Sequence, residues 1–225
     1  MILEHVRKLS IFILLAACDQ SGTIDPAKPG IEVFDRHKPE VYLSTSVLHH
    51  SNILPIPFQV RFSENVTNFT RSDVVLSGGR LLTFEGQGLL FNFEVEPDSA
   101  EELVVVQIKE QAVYDESRNF NRSSLTIAIQ HDRVAPDPPE IGIAGGAGTT
   151  GSMQVTLSFS VNDATRLYVT NTPGCQEGGD WQNFVAFRQW DLSQADAVNT
   201  VFAKVADEAG NESGCNSAQI VHAST

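Results

Sequence analysis

Short stretches in which apolar and polar residues alternate with a period of two constrain the fold of this chain most strongly. The clearest examples are residues 58–62, 91–96, 125–130 and 155–161, and weaker strand candidates follow at 166–170, 201–205 and 219–222. This period places every second side chain on one face of a strand, so that one face is buried and the other meets water. Gly-, Pro- and Ser-containing turns separate the stretches, and no helical period lies between them. Many short strands at such spacing predict an all-β chain of the β-sandwich type.

Size and charge narrow the possibilities further. The chain has 225 residues, which is room for one large domain or two of about a hundred residues each. Its formal net charge is −13. Binding to a phosphate backbone requires clustered lysine and arginine, so the charge argues against nucleic acid as a partner.

The first residues are arranged as in an export signal. Arg7 and Lys8 precede the apolar run from Leu9 to Leu15, and small residues follow. A run this short does not reach the roughly 20 residues that a membrane-spanning helix needs. The basic start, short hydrophobic region and small residues therefore indicate a bacterial signal peptide.

The quartet Leu15-Ala16-Ala17-Cys18 resembles the lipobox of bacterial lipoproteins. The resemblance implies that residues 1–17 are a signal peptide removed just before Cys18, and that Cys18 then carries a diacylglyceryl group and acyl chains such as palmitate. It places the protein in the bacterial cell envelope, held at a membrane by its lipid anchor. Residues 18–38 contain prolines, glycines and few large apolar side chains, which predicts a flexible tether.

An internal repeat marks the domain boundaries. Asp35-Arg36 is followed by Pro39, and Asp132-Arg133 is followed by Pro136, about a hundred residues further along. Such a period suits tandem sandwich modules. We therefore predict one domain over residues 39–133 and a second over residues 138–225.

Residues 64–74, Glu-Asn-Val-Thr-Asn-Phe-Thr-Arg-Ser-Asp-Val, resemble a run found in bacterial Ig-like domains, and residues 84–97 continue the resemblance. That family often has a D-x-A-G-N turn before its last strand. The turn is intact at 207–211, whereas 115–119 lacks the glycine. The second half is also similar to modules of bacterial lipoproteins that combine Trp-x-x-Phe with a Gly-Asn-Glu-Ser-x-Cys ending. The resemblance implies two tandem Ig-like antiparallel β-sandwiches in an envelope setting and no catalytic residues.

Two cysteines remain once Cys18 is assigned to lipid. Cys175 and Cys215 form an even pair in a compartment that permits disulfides. We predict a disulfide that closes a loop of about forty residues and stabilises the fold by about 3–4 kcal/mol. Two free thiols are the alternative.

Acidic and amide side chains at two places in the sequence make calcium a candidate metal ion. Asp207 and Asn211 offer carboxylate and amide oxygens on a tight turn, and Asp132 lies near Asp137 and Glu140 at the joint between the halves. The alternative is a hairpin turn in which Gly or Asn supplies a positive φ. The turn is favoured, because the ligand spacing of a calcium loop is missing, and no other cofactor is expected.

Three further sequence features are candidate binding sites, and each also has a simpler structural interpretation. His49 and His50, with His37 nearby, are metal candidates, but adjacent strand residues point in opposite directions, which favours solvated histidines. The glycine-rich stretch 145–151 lacks the lysine and helix of a phosphate-binding loop, so it is predicted to be a plain loop. Trp181 and Trp190 are candidates for a sugar- or peptide-binding surface, with a core role favoured for at least one.

No motif of a known catalytic class is present, so we expect a non-enzyme. The leading hypothesis is a membrane-anchored lipoprotein whose Ig-like domains form a binding or adhesion module for an envelope or extracellular protein or polysaccharide. The alternative is a periplasmic structural spacer or assembly subunit, and an enzyme subunit would need a polar cleft. Loops 47–56 and 171–184, at the ends of the sandwiches, are the expected contact surfaces.

Overall fold

The alternating stretches form strands in the computed structural model, which describes residues 35–224. Sixteen strands and three single-turn 3-10 helices lie in that range. The signal peptide, Cys18 and the tether up to residue 34 lie outside the described residues. Residues 35–38 have no regular secondary structure.

The first eight strands form two four-stranded sheets. Their order is β1-β3-β6-β5 in one sheet and β2-β8-β7-β4 in the other. Every pairing is antiparallel except that of the two-residue β2 with β8, which is parallel. The strands are β1 Val41–Ser44, β2 His50–Ser51, β3 Ile56–Phe62, β4 Val74–Ser77, β5 Gly79–Gln87, β6 Leu90–Pro97, β7 Glu101–Ile108 and β8 Ile127–Asp132.

Side chains from both sheets fill one hydrophobic core. Phe58, Val60 and Phe62 of β3 are buried together with Val104 and Val106 of β7. Since the buried side chains alternate along each strand, the inner faces of the two sheets meet and the outer faces remain in water. The first eight strands are therefore a β-sandwich.

The remaining strands form a second sandwich with sheets in the order β14-β11-β9 and β10-β16-β15-β12-β13. Its core is a separate cluster that includes Leu157 of β11, Leu167 of β12 and Val201 of β15. The strands are β9 Glu140–Ile143, β10 Thr149–Thr150, β11 Gln154–Ser160, β12 Arg166–Thr170, β13 Trp181–Asn183, β14 Phe187–Asp191, β15 Val198–Ala206 and β16 Asn216–His222. The 3-10 turns are Arg71–Asp73, Ala144–Gly146 and Pro173–Cys175.

The strand order identifies both sandwiches as Ig-like. The short β2 is counted here as part of the first Ig strand. One sheet of the first sandwich then contains the first, second, fifth and fourth of the seven Ig strands, in that order. The other sheet contains the seventh, sixth and third. The second sandwich repeats this order, with β13 added beside β12 and no strand beside β14. The predicted fold class is therefore confirmed. Residues 38–225 form a single compact unit that contains both cores, and the predicted domain boundaries stay predictions.

The start of β8 differs from the expectation. The alternation predicted a strand from Leu125, but β8 begins at Ile127 and Leu125 is 86% exposed. The Oγ of Ser124 accepts the backbone N–H of Ile108 at 2.9 Å and donates to the carbonyl oxygen of Leu125 at 2.8 Å. Because this hydroxyl occupies a donor that strand pairing would otherwise use, the ladder starts two residues later than predicted.

Candidate functional site

A polar trough crosses the outer face of the β1-β3-β6-β5 sheet. Ser44, Gln59, Asn92 and Glu85 are neighbours in the strand register, one residue from each strand, and all four are exposed. These residues line a cavity of about 620 Å³ together with Thr83, Glu94 and neighbouring residues of the same strands. Because strands lie about 4.8 Å apart, the row extends over roughly 15 Å.

The trough combines amide, hydroxyl and carboxylate groups. The side-chain amide nitrogen of Gln59 donates to Oδ1 of Asn92 at 3.1 Å, which leaves the side-chain carbonyl oxygen of Gln59 and the amide N–H groups of Asn92 available. In the adjoining row the hydroxyl of Thr83 donates to Oε2 of Glu94 at 3.3 Å. The strands place these groups outward because their neighbours in sequence face the core. The trough can therefore donate and accept hydrogen bonds, and it carries negative charge at Glu85 and Glu94.

Polar contacts join the two sandwiches. The side-chain nitrogen of Asn211 donates to the carbonyl oxygen of Asp132 at 3.0 Å, and its Oδ1 accepts from the side chain of Asn52 at 3.2 Å. Nδ1 of His50 lies 3.6 Å from a carboxylate oxygen of Glu208. Part of the predicted contact loop 47–56 is thus engaged at this junction.

Asp207 shapes the turn that presents Asn211. Its Oδ1 accepts the backbone N–H groups of Gly210 and Asn211 at 2.7 and 2.8 Å, and its Oδ2 accepts the side chain of Asn211 at 2.9 Å. Both side chains therefore take part in the hydrogen bonds of this turn. The φ of 93° at Gly210 is one that glycine adopts without strain.

The junction also gathers three carboxylates. Single oxygens of Asp132, Asp163 and Asp207 lie within 4.8 Å of one another. Carboxylate oxygens are the ligand type that calcium uses, so the donor chemistry fits such an ion. The predicted partners of Asp132, namely Asp137 and Glu140, do not belong to this group, whereas Asp163 does and was missed. Its position in the loop after β11 carries no sequence signal for a ligand.

The first sandwich contains the same turn without glycine. Oδ1 of Asp115 accepts the backbone N–H of Asn119 at 2.8 Å, and Oδ2 accepts the side chain of Asn119 at 2.8 Å. Arg118 takes the place of the glycine with a φ of 66°, and its guanidinium lies 4.7 Å from the ring centre of Tyr114. The Asp and Asn therefore define the turn even where a larger residue must adopt the left-handed conformation.

The predicted disulfide is present. Cys175 and Cys215 are joined with an S–S distance of 2.06 Å across a sequence separation of 40 residues. Cys175 ends the single turn Pro173–Cys175 within the predicted contact loop 171–184, and Cys215 lies directly before β16. The bond therefore fixes that loop to the last strand of the second sandwich.

The two tryptophans have different surroundings. Trp190 packs against the second core, and its indole N–H donates to Oδ1 of Asn171 at 2.8 Å. Trp181 lies on the outer face of β13, where Arg166 and Lys204 approach its ring centre to 4.7 and 5.3 Å. Because cations of the same chain occupy its ring, Trp181 is not a free platform for a sugar.

The remaining candidates do not form sites. Among residues 35–224, no histidine belongs to a group of three ligand-type side chains that could hold a metal ion. His131, which the sequence did not single out, is 1% exposed, and burial lowers the pKa of its imidazole. The glycine-rich stretch lies between β9 and β10, and Gly145 and Gly146 both have positive φ, as a loop requires. No helix within the described range is long and apolar enough to cross a membrane.

Comparison with known proteins yields similarity only at the level of structure. Neither a family model nor a curated protein matches the chain. The crystal structure of domains A168–A170 from titin superposes with a TM-score of 0.45 at 11% identity, covering 82% of this chain and 66% of that one. The fibronectin(III)-like modules of Clostridium thermocellum CbhA give a TM-score of 0.41 at 9% identity, covering 82% of this chain and 94% of theirs. This chain thus spans slightly less than two thirds of the titin fragment.

Proposed function

We propose that this chain is a lipid-anchored protein of the bacterial cell envelope whose two Ig-like sandwiches form a non-catalytic binding or adhesion module. The observation that carries the binding role is the polar trough on the first sandwich. Its polar side chains lie outside the hydrophobic core, and they place hydrogen-bonding groups in register across four strands. Polar groups that converge on one cavity can fix the orientation of a bound ligand.

The anchor rests on the amino-terminal sequence. The basic residues, the short apolar run and Leu15-Ala16-Ala17-Cys18 support acylation at Cys18. Two or three acyl chains give stable membrane attachment, because each buried methylene contributes about 0.8 kcal/mol. The disulfide between Cys175 and Cys215 supports an oxidising compartment outside the cytoplasm. We propose no cofactor apart from this lipid.

A structural spacer or assembly subunit is the second candidate, and the junction favours it. Asn211 bonds both Asp132 and Asn52 of the first sandwich, so the second sandwich is held by directional contacts instead of a bare linker. Such contacts suit a protein that sets a distance within a larger complex. A deletion strain with intact envelope integrity and no co-purifying partner would remove this candidate.

The binding proposal is tested with the full-length lipoprotein purified in nonionic detergent. We expect it to retain at least one component from a panel of envelope polymers, extracellular matrix proteins and solubilised envelope proteins. A variant with Gln59→Ala and Asn92→Ala should lose this retention, while Gln182→Ala, at an exposed position of β13 in the second sandwich, should keep it. Retention of nothing by the wild-type protein would refute the binding role.

A further inference from the structure

The polar trough has a negative charge that its own lining does not balance. Glu85 and Glu94 both line it, and the lining contains no lysine or arginine. Glu85 makes no hydrogen bond or ion pair with any residue of the described part of the chain, and Glu94 accepts only the long bond from Thr83. Two carboxylates on one exposed face therefore keep most of their acceptor capacity.

The cations nearest in the same sheet are committed elsewhere. The guanidinium of Arg61, one row away, lies 4.8 Å from the ring centre of Tyr42. Arg80 of β5 forms an ion pair with Glu96 of β6. Neither arginine is therefore positioned to neutralise Glu85 or Glu94, and both carboxylates stay open to a cation from a partner.

We infer that this trough binds an extended segment of a partner protein that carries lysine or arginine. The inference rests on the proposed binding function and names the chemistry of the partner. A row of roughly 15 Å accommodates about four to five extended residues at about 3.3 Å each. The side-chain carbonyl oxygen of Gln59 can accept an N–H group of that backbone, and the side-chain amide N–H groups of Asn92 can donate to its C=O groups. Glu85 and Glu94 receive its cationic side chains.

The charge of the whole chain supports the same partner. A formal net charge of −13 repels a second copy of this chain and attracts a basic one. Complementary potentials increase the rate of encounter and discriminate against acidic partners. The binding is therefore expected to weaken as the salt concentration rises.

The test measures the fluorescence anisotropy of a labelled peptide of alternating lysine and serine, added to the full-length protein in nonionic detergent. The double variant Glu85→Gln and Glu94→Gln removes both charges and keeps the shape of the side chains. We expect it to weaken binding about tenfold, from the loss of two exposed ion pairs. A control with Glu101→Gln and Glu110→Gln makes the same change in net charge at exposed positions outside the trough and should bind like wild type.

Hydrogen exchange should show protection by the peptide in β3, β5 and β6. Equal weakening in the two double variants would overturn the inference, because attraction would then depend on net charge alone. Tighter binding of a neutral glucose oligomer or a glucosamine oligomer than of the peptide would also overturn it and would assign the trough to a glycan. In either case a component retained from the envelope panel would still support the binding function, so the two proposals fail separately.

Discussion

Replacing Asn211 with alanine tests whether the two sandwiches are coupled by the hydrogen bonds at their junction. The substitution removes three side-chain hydrogen bonds, to Asp132, Asn52 and Asp207, with lengths of 2.9 to 3.2 Å. Each such bond contributes about 0.5–1.5 kcal/mol net. Because water can reach some of the abandoned partners, we expect a loss of about 2 kcal/mol in the free energy of unfolding of the second sandwich.

Urea unfolding followed by tryptophan fluorescence measures this loss directly. The chain has two tryptophans, Trp181 and Trp190, and both lie in the second sandwich. The signal therefore reports the sandwich that contains Asn211. As a control, Asn183→Ala changes an exposed asparagine of the same sandwich and should alter stability by less than about 0.5 kcal/mol.

A double-mutant cycle isolates the contact between the sandwiches. Asn52 lies in the first sandwich, so combining Asn52→Ala with Asn211→Ala should give a coupling energy of about 1 kcal/mol. Effects that add to within about 0.3 kcal/mol would refute the reasoning, because independent sites behave in that way.

Three other perturbations have defined outcomes. Burial lowers the pKa of the His131 imidazole from its usual 6.5, so the unfolded chain binds the proton more readily and the free energy of unfolding should fall as the pH drops below 6.5. In His131→Leu the free energy of unfolding, measured in urea, should depend less on pH over that range. The same pH dependence in the variant and the wild type would contradict this. Replacing Cys175 and Cys215 by serine should cost about 3–4 kcal/mol in denaturant unfolding, and a midpoint equal to that of the wild type would show that the bond adds nothing. Asp163→Asn removes one of three clustered negative charges, so in the presence of chelator at low salt it should raise the free energy of unfolding by up to about 1 kcal/mol. Charges about 5 Å apart repel most under these conditions. A gain that does not shrink at high salt would contradict this, because it would come from the backbone preference of Asn at a φ of 58°.

The fold could be predicted from the sequence because the alternation of apolar and polar residues lies within each single strand. Burial of Phe58, Val60 and Phe62 depends on alternation within one strand, which can be read directly from the chain. The disulfide was predictable for a similar reason, since only two cysteines remained to pair once Cys18 was assigned. The prediction that a strand begins at Leu125 was wrong, because the hydroxyl of Ser124 accepts the backbone N–H of Ile108 in place of a strand partner. No pattern of apolar residues encodes that hydrogen bond.

Much less of the candidate site could be predicted from the sequence, because the site depends on contacts between residues that are far apart in the chain. The alternation of apolar and polar residues predicts that Gln59 and Asn92 face water. Their alignment in one row depends on the register between strands, which the alternation alone does not fix. Asp163 joins Asp132 and Asp207 only through the packing of the two sandwiches. Arg118 adopts a positive φ that its residue type disfavours, because Asp115 and Asn119 define the turn around it.

Protease shaving of intact cells tests the proposed lipid-anchored binding module most directly. A tagged version of the protein is compared with a periplasmic control protein and with a Cys18→Ser variant that cannot be acylated. The account predicts that protease removes the tag of the wild-type protein from intact cells while the periplasmic control survives, and that the variant no longer fractionates with membranes. Protection of the wild-type tag until the outer membrane is opened would contradict a displayed binding module and favour the spacer, and membrane attachment without Cys18 would contradict the lipid anchor.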